Sequence, residues 1–363
     1  MIVERLELSD YRNYESLSVS FDPGTNLIYG NNAQGKTNLL EAVFECATAR
    51  SHRGSKDREV IRFGREEGHI RLQAEKNGRP VRIDLHLRKN KPKGAAIDGV
   101  PVRKVSELFG VLQVVFFSPE DLKIIKNSPQ ERRRFIDEEL CQLDRVYTSR
   151  LISYNKALLQ RNNLLKDPKN DSEFRLLLDV LDEQLVTYGK DVMEERKAFI
   201  REMDELTAGI HQELTGGKER LHLIYAPSVS PEQMEEKLFL ARDMDIRLGS
   251  TSVGPHRDDM EFELDGIDAR KFGSQGQQRT AALSLKMAEI ELVRQKTNDT
   301  PILLLDDVLS ELDSERQERL LRSIKGVQTF LTCTGLDDFV ERSMDVKRKY
   351  RVEANKVEEI IHE

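Results

Sequence analysis

Eight consecutive residues, Gly30-Asn31-Asn32-Ala33-Gln34-Gly35-Lys36-Thr37, fit the pattern G-x-x-x-x-G-K-[ST]. Glycines let a backbone wrap closely enough for successive N–H groups to point at phosphate oxygens. Lys36 then supplies a cation for the β- and γ-phosphates, and the Thr37 hydroxyl can ligate Mg²⁺. A second segment, Leu303-Leu304-Leu305-Asp306-Asp307, supplies the other half of such a site. A buried apolar strand delivers Asp306 to its C-terminal end, where it can hold Mg²⁺ through water. Asp307 is then placed to orient or deprotonate an attacking water. A third segment, Lys271-Phe272-Gly273-Ser274-Gln275-Gly276-Gln277-Gln278-Arg279, opens a helix. Ser-x-Gly-Gln at a helix N-terminus suits an anion. The chemistry these residues share is that of a nucleoside triphosphate.

The elements that must position them are legible in outline. Thr25-Asn26-Leu27-Ile28-Tyr29 reads as a short strand before the loop, and Leu39, Leu40, Val43, Phe44 and Ala47 recur at helical spacing after it. Residues 1–30 and 60–117 have strand texture, the second stretch ending in Val111-Leu112-Gln113-Val114-Val115-Phe116-Phe117. From Pro129 to about Leu165 there is no Gly or Pro, which predicts one long helix. Asp167-Pro168-Lys169-Asn170-Asp171 breaks it, and a second long helix runs from about Ser172 to Leu214, closed by Gly216-Gly217. The pair forms an antiparallel hairpin. A strand over Leu221 to Tyr225, a helix over about Pro231 to Met244, a strand pair around Gly254 and Gly266, the helix after Ser274 and the strand Pro301 to Leu305 complete the chain. A large insertion therefore separates Lys36 from Asp306. The expected division is an ATPase lobe of residues 1–117 and 268–363, and a helical lobe of residues 118–267 with its hairpin at about 129–215.

Composition narrows the class. The 363 residues carry a net charge of −7, with 33% charged and 38% hydrophobic residues and no Trp. That length predicts roughly two domains, and no apolar run approaches the ~18 residues of a membrane helix. Cys46, Cys141 and Cys333 are far apart and odd in number, so a reducing cytoplasm is expected rather than a disulfide framework or zinc site. With an acidic balance, any nucleic-acid surface must be local. Three basic clusters offer one: Arg50-Ser51-His52-Arg53 with Lys56 and Arg58, then Arg88-Lys89-Asn90-Lys91-Pro92-Lys93, then Lys123 and Lys126 with Arg132-Arg133-Arg134. Few aromatics are interleaved with them, which favours backbone or shape recognition over base stacking. His256-Arg257-Asp258-Asp259 reads as a structural turn or a contact with DNA or a partner subunit, because consecutive residues seldom converge on one metal ion.

Leu8-Ser9-Asp10-Tyr11-Arg12-Asn13-Tyr14, taken with Gly30 to Asn38, resembles the heads of the SMC/Rad50/RecF group of ABC-type ATPases. Ala49 to Arg53, Gly254 to Asp259, Ser274 to Thr280 and Leu305 to Asp313 are similar to the bacterial RecF branch, whose members also lack the long coiled coil. Ser274 to Arg279 resembles the ABC signature and Ser310-Glu311-Leu312-Asp313 the D-loop. The fold this implies is an α/β ABC-type P-loop ATPase head with a helical lobe carrying a short antiparallel hairpin. The resemblance further implies a homodimer formed on ATP. Gly30 to Thr37 and Asp306 of one copy would bind ATP·Mg²⁺, while Ser274, Gly276 and Gln277 of the other cap the γ-phosphate. Gln113 becomes the candidate Q-loop residue, sensing Mg²⁺ and the γ-phosphate. Double-stranded or gapped DNA, RecO, RecR and assistance to the RecA recombinase are its implied partners, in recombinational repair and replication restart.

Gln275 stands where transporters carry Gly, Asp307 replaces the usual Glu, and Phe330-Leu331-Thr332-Cys333-Thr334 holds no switch histidine. The shorter arm of Asp307 suits a slow, DNA-stimulated switch rather than a fast motor. Other readings are a transport-type ABC ATPase, which the missing histidine and the hairpin oppose, and a DNA-binding scaffold with incidental hydrolysis. An unrelated P-loop kinase would leave Ser274 to Arg279 without a role.

Overall fold

In a computed structural model, residues 1–168, 171–335 and 346–360 are described. The chain divides into two units, Met1–Asp121 with Glu289–Glu363, and Leu122–Ala288. The return seam thus falls at 288/289 rather than at the 267/268 read from the sequence. No helix among the described residues is long and apolar enough to cross a membrane.

The first unit opens with β1 (Ile2–Tyr11), β2 (Tyr14–Ser20) and β3 (Thr25–Tyr29), then α1 (Lys36–Thr48) and the short α2 (Asp57–Val60). β4 (Glu67–Lys76), β5 (Arg79–Arg88), β6 (Gly94–Ile97), β7 (Val100–Pro101) and β8 (Val114–Phe117) follow. Six of these make an antiparallel sheet in the order β2-β1-β4-β5-β6-β7. Its strands alternate buried and exposed residues, as one-sided sheets do.

The second unit begins with α3 (Leu122–Lys126), α4 (Pro129–Leu143), α5 (Arg145–Lys166) and α6 (Ser172–Thr215). The single helix expected over 129–165 is two. Asp144 leaves the helical conformation and its side chain accepts from the Val146 N–H, capping α5 without any Gly or Pro to announce the break. The hairpin is therefore α5 against α6, about 33 Å and about 66 Å long. Lys169 and Asn170 of the expected turn lie outside the described residues. β9 (Leu221–Ala226), α7 (Met234–Leu240), α8 (Arg242–Leu248), β10 (Asp259–Leu264), β11 (Ile267–Asp268), α9 (Ala269–Phe272) and α10 (Gln275–Thr297) as far as Ala288 complete the insertion. The strands form a sheet ordered β11-β10-β9.

Back in the first unit come β12 (Ile302–Asp306), α11 (Ser314–Ser323), β13 (Thr329–Cys333), β14 (Val346–Glu353) and β15 (Lys356–Ile360). They join β3 and β8 in a second six-stranded sheet, β15-β14-β3-β13-β12-β8, parallel except for the β14–β15 pair. β8, at the edge of the sheet, and the first four residues of β12 are buried throughout, as strands of a parallel sheet covered on both faces are. Leu39, Leu40, Val43 and Phe44 of α1 share one core with Leu6, Leu72 and Leu85 of the first sheet and Ile28, Phe116, Leu304 and Phe330 of the second.

The motif Gly254 to Asp259 is spent inside the second unit. His256 Nδ1 meets the Tyr154 hydroxyl at 2.6 Å and Nε2 meets the Thr251 carbonyl at 3.0 Å. Arg132 forks onto both Asp259 oxygens at 2.6 and 2.9 Å, and Arg196 donates to the Pro255 carbonyl at 2.6 Å. The arginines of the third basic cluster are consequently engaged in the fold, while Lys123 and Lys126 stay exposed: Arg132 is buried, Arg133 donates to the Asp258 carbonyl at 2.6 Å, and Arg134 pairs with Glu138 at 2.8 Å.

Burial pushes the His256 pKa from its ordinary 6.5 down to about 4. The unfolded chain takes up this proton as pH falls below the ordinary value, the folded chain only near the lowered one. Stability is therefore intact near neutrality and drains away between the two, by up to about 3 kcal/mol. Thermal melts followed by circular dichroism at pH 7 and pH 5 are expected to show a loss in the native protein that His256→Asn reduces. An equal acid shift in both would assign the effect to other groups.

Candidate nucleotide site

The parallel register assembles the site. β13 lies between β3 and β12, so that Thr332 is level with both Ile28 and Asp306. β3 ends at the loop and α1 begins at Lys36, which brings the loop beside the end of β12. Thr37 Oγ1 donates to Asp306 Oδ1 at 2.8 Å, across 269 residues of sequence. Thr332 Oγ1 donates to the same oxygen at 2.8 Å and accepts from the Asp307 N–H at 3.0 Å. Burial raises the Asp306 carboxyl above its usual range, against those two hydroxyl donors and the charge of Arg53. A half-buried carboxylate and an alcohol this close offer hard oxygen ligands, the type Mg²⁺ takes beside its waters. The residues present therefore fit that ion.

Lys36 Nζ donates to the carbonyls of Gly30 at 2.6 Å and Asn31 at 3.0 Å. Burial lowers its pKa, and the charges of Asp307, Cys333 and Asp306 oppose that shift in this order. Asp307 takes a left-handed backbone, φ 55°, at the strand end, where aspartate is tolerated better than most side chains.

Residues on two distant turns brace the loop. Asn13 Nδ2 donates to the Gln34 carbonyl at 3.2 Å, Asn13 Oδ1 accepts from Asn38 at 2.8 Å, and the Tyr14 hydroxyl donates to the Gly35 carbonyl at 3.1 Å. From the turn between β14 and β15, the Ala354 N–H donates to Gln34 Oε1 at 2.7 Å and Asn355 bonds Asn13. Gly35 sits at φ 109°, and a Cβ there would fall 2.5 Å from Asn13 Nδ2 and 2.8 Å from the Tyr14 hydroxyl oxygen. This glycine is fixed both by backbone angle and by the brace.

Beneath the loop, α1 buries two carboxylates. Arg12 forks onto Glu41 at 2.9 and 2.8 Å, and Ser51 also bonds Glu41. Tyr11 donates to Glu45 at 3.0 Å, and burial lifts the Glu45 pKa to about 7. Lys93 approaches Glu45 at 3.7 Å and pairs with Asp57 at 2.6 Å, so part of the second basic cluster is spent on the fold. The first cluster keeps Arg50, Arg53 and Lys56 exposed, while the His52 ring stacks on Phe116 with centroids 3.9 Å apart.

Gln113 does not belong here. Val114 pairs with Ile302 and Phe117 with Leu305, so Gln113 precedes β8 at the end of the strand opposite Asp306. Its side chain is buried against the Gly110 carbonyl and Lys76. The reading of Gln113 as a Mg²⁺ sensor is thereby corrected; the strand end nearer Asp306 carries Phe117 and Ser118.

The signature residues belong to the second unit. Ser274 caps α10: its Oγ accepts from the Gln277 N–H at 3.2 Å while Gln277 Oε1 accepts from the Ser274 N–H at 2.8 Å. The Gln277 amide also donates to Glu219 at 3.0 Å. Ser274 and Gly276 are exposed, and a Cβ on Gly276 would meet no atom closer than 4.0 Å.

The RecF/RecN/SMC N terminal domain family matches residues 2–358. The chain belongs to this family. The DNA replication and repair protein RecF of Lachnoclostridium phytofermentans is 58% identical over 358 residues, 99% of each chain. A solved structure described as the recombination mediator protein RecF-ATP in the RecFOR pathway superposes with a TM-score of 0.92 at 33% identity, over 99% of this chain and 98% of that one. The Smc head domain of Pyrococcus furiosus, at 18% identity and a TM-score of 0.58 over 99% of this chain and 96% of that one, shares the fold. The family has the ABC-type head that the motif order anticipated, and the transport-type reading falls away.

Proposed function

We propose that the chain is an ATP-controlled DNA-binding protein of recombinational repair. The observation that carries this is the meeting of Thr37 with Asp306, beside Lys36 and Asp307, within a family whose relatives are named for replication and repair. Gly30 to Thr37 hold the triphosphate through backbone N–H groups and the Lys36 charge. Thr37 and Asp306 hold Mg²⁺, which neutralises charge on the β- and γ-phosphates. Asp307 orients the attacking water, and its short arm suits slow turnover. Thr332 fixes the Asp306 carboxylate and the backbone at Asp307.

The γ-phosphate is capped by Ser274, Gly276 and Gln277 of a second copy. Their exposure at the start of α10, with open space over Gly276, supports close approach of a phosphate there. Loss of the γ-phosphate then releases the pair. DNA is bound by backbone contacts from Arg50, Arg53, Lys56 and their counterparts on the second copy. RecO and RecR are the partners in loading the RecA recombinase, in the cytoplasm.

Molecular mass in solution tests this reading, measured without nucleotide, with ADP, with ATP, and with ATP plus duplex DNA. ATP alone is expected to double the mass, and DNA to strengthen the doubling. Ser274→Arg should abolish the doubling while keeping ATP binding, since losing a cap costs only about 1 kcal/mol. A monomer that still hydrolyses ATP, or doubling retained in Ser274→Arg, would overturn the shared site. Asp307→Asn separates a cycling switch, which loses repair, from a scaffold, which keeps it.

A further inference from the structure

The outer face of the antiparallel sheet carries three side chains that neither the nucleotide site nor the core uses. Glu67 and His69 alternate with buried residues along β4 and so share its solvent face. His86, on β5, is directly opposite His69 in an uninterrupted antiparallel register that runs from Glu67↔Arg88 to Lys76↔Arg79. The two imidazoles stack at 4.2 Å between centroids and 21° between planes. His86 Nε2 lies 2.8 Å from Glu67 Oε2, and one donor atom from each of the three residues lies within 4.8 Å of the others.

We infer that Glu67, His69 and His86 form a binding site for a divalent transition-metal ion of the zinc class. Two neutral imidazoles and one carboxylate are a set that Zn²⁺ accepts, with bonds of about 2.0–2.2 Å and the fourth position left to water. Donors bonded at that length in a tetrahedron stand about 3.3 Å apart, closer than the 4.8 Å within which these atoms lie, and the side-chain torsions have to supply that closure. The register does the positioning: a directly opposed pair and its i−2 neighbour are fixed by the ladder, and only side-chain freedom is lost on binding. His69 and His86 line an open groove of about 650 Å³, which gives the ion access. The neighbouring Arg71 is engaged by Asp84 at 2.5 Å and by Glu7 at 3.6 Å, which offsets its charge. Arg88, opposite Glu67, remains as the cation working against the site. Two exposed ligands and one partly exposed make a weak, exchangeable site rather than a structural one, and imidazole selects it for zinc, nickel, copper or cobalt over magnesium.

The experiment is a titration of the full chain with Zn²⁺ against a chromogenic chelator, in excess Mg²⁺, repeated with Co²⁺ to read the ligand-field absorption of nitrogen ligation. One saturable equivalent is expected, at least tenfold weaker in His69→Ala and in His86→Ala, with a lesser loss in Glu67→Gln. All three variants change exposed or partly exposed side chains, so their circular dichroism should match the parent. Absence of a saturable equivalent, or one that survives both histidine replacements, would overturn the site. A stoichiometry of one that depends on His86 but gives no nitrogen-ligated Co²⁺ spectrum would also count against it.

Discussion

Lys36→Met is expected to weaken ATP binding about a hundredfold without lowering the melting temperature of the nucleotide-free protein. Methionine keeps the stem and removes the charge. In the folded chain the ammonium is anchored on the Gly30 and Asn31 carbonyls, at the centre of the loop and close enough to Asp307 and Asp306 for both to act on its pKa. Charge-assisted hydrogen bonds are worth roughly 1.5–3 kcal/mol each, so losing those that a triphosphate would receive amounts to about 3 kcal/mol, or two decades in Kd. The fold should tolerate the change because the two carbonyls stand at a partly exposed loop. Calorimetric or labelled-nucleotide titration is the appropriate assay, since the chain has no Trp to report binding. Unchanged affinity would place the triphosphate elsewhere.

Arg161→Met should instead act on stability, lowering the melting temperature by about 10 °C. Arg161 is fully buried in the second unit, at 0% exposure. Its guanidinium donates to Asp182 at 2.5 Å, to Asp245 at 2.7 Å and to Thr251 at 3.0 Å. Asp182 keeps Arg242 at 2.7 Å as a second cation, and Asp245 keeps the Ser252 N–H and hydroxyl, neither of them a cation. Removing one partner of a buried pair costs about 3–5 kcal/mol, because the remaining charge stays desolvated. For a unit of this size each kcal/mol moves the midpoint by about 2–4 °C. Adding Asp245→Leu to Arg161→Met should recover part of the loss, which a mere packing defect at position 161 would not allow. Melting curves followed by circular dichroism decide between the two.

The residues that declare themselves in the sequence are those whose neighbours in space are also neighbours in the chain. Gly30 to Thr37 form one turn, and Asp306 ends an unbroken apolar run, so both could be read from spacing. Thr332 has no such signature: it matters because β13 intervenes between β3 and β12, and only the strand order places its hydroxyl on Asp306. Asn13, Tyr14, Ala354 and Asn355 are ordinary turn residues until tertiary structure brings them to the loop. Glu41 and Glu45 would be assigned to the wet side of α1, yet both are buried, Glu41 held by Arg12 from the turn after β1 and Glu45 bonded through one oxygen by Tyr11 of β1. Gln113 was misassigned because an apolar run does not say which of its ends faces the site. The arginines at 132–134 look like a nucleic-acid patch because sequence cannot show the Asp258-Asp259 segment folded against Arg132 and Arg133.

The brace on the phosphate loop also sets an order of events during synthesis. Gln34 and Ala354, which bond one another, are 320 residues apart. At about 5–20 residues per second, the ribosome makes the second roughly 15–65 s after the first. Through that interval the loop exists without half of its scaffold, and β3 lacks its partners β13 and β14. A nascent chain is thus poorly equipped to capture nucleotide, and a chain cut short before β14 never completes the loop. Ligand capture is thereby tied to the progress of translation: the braced loop is complete only after Ala354 and Asn355 have been made.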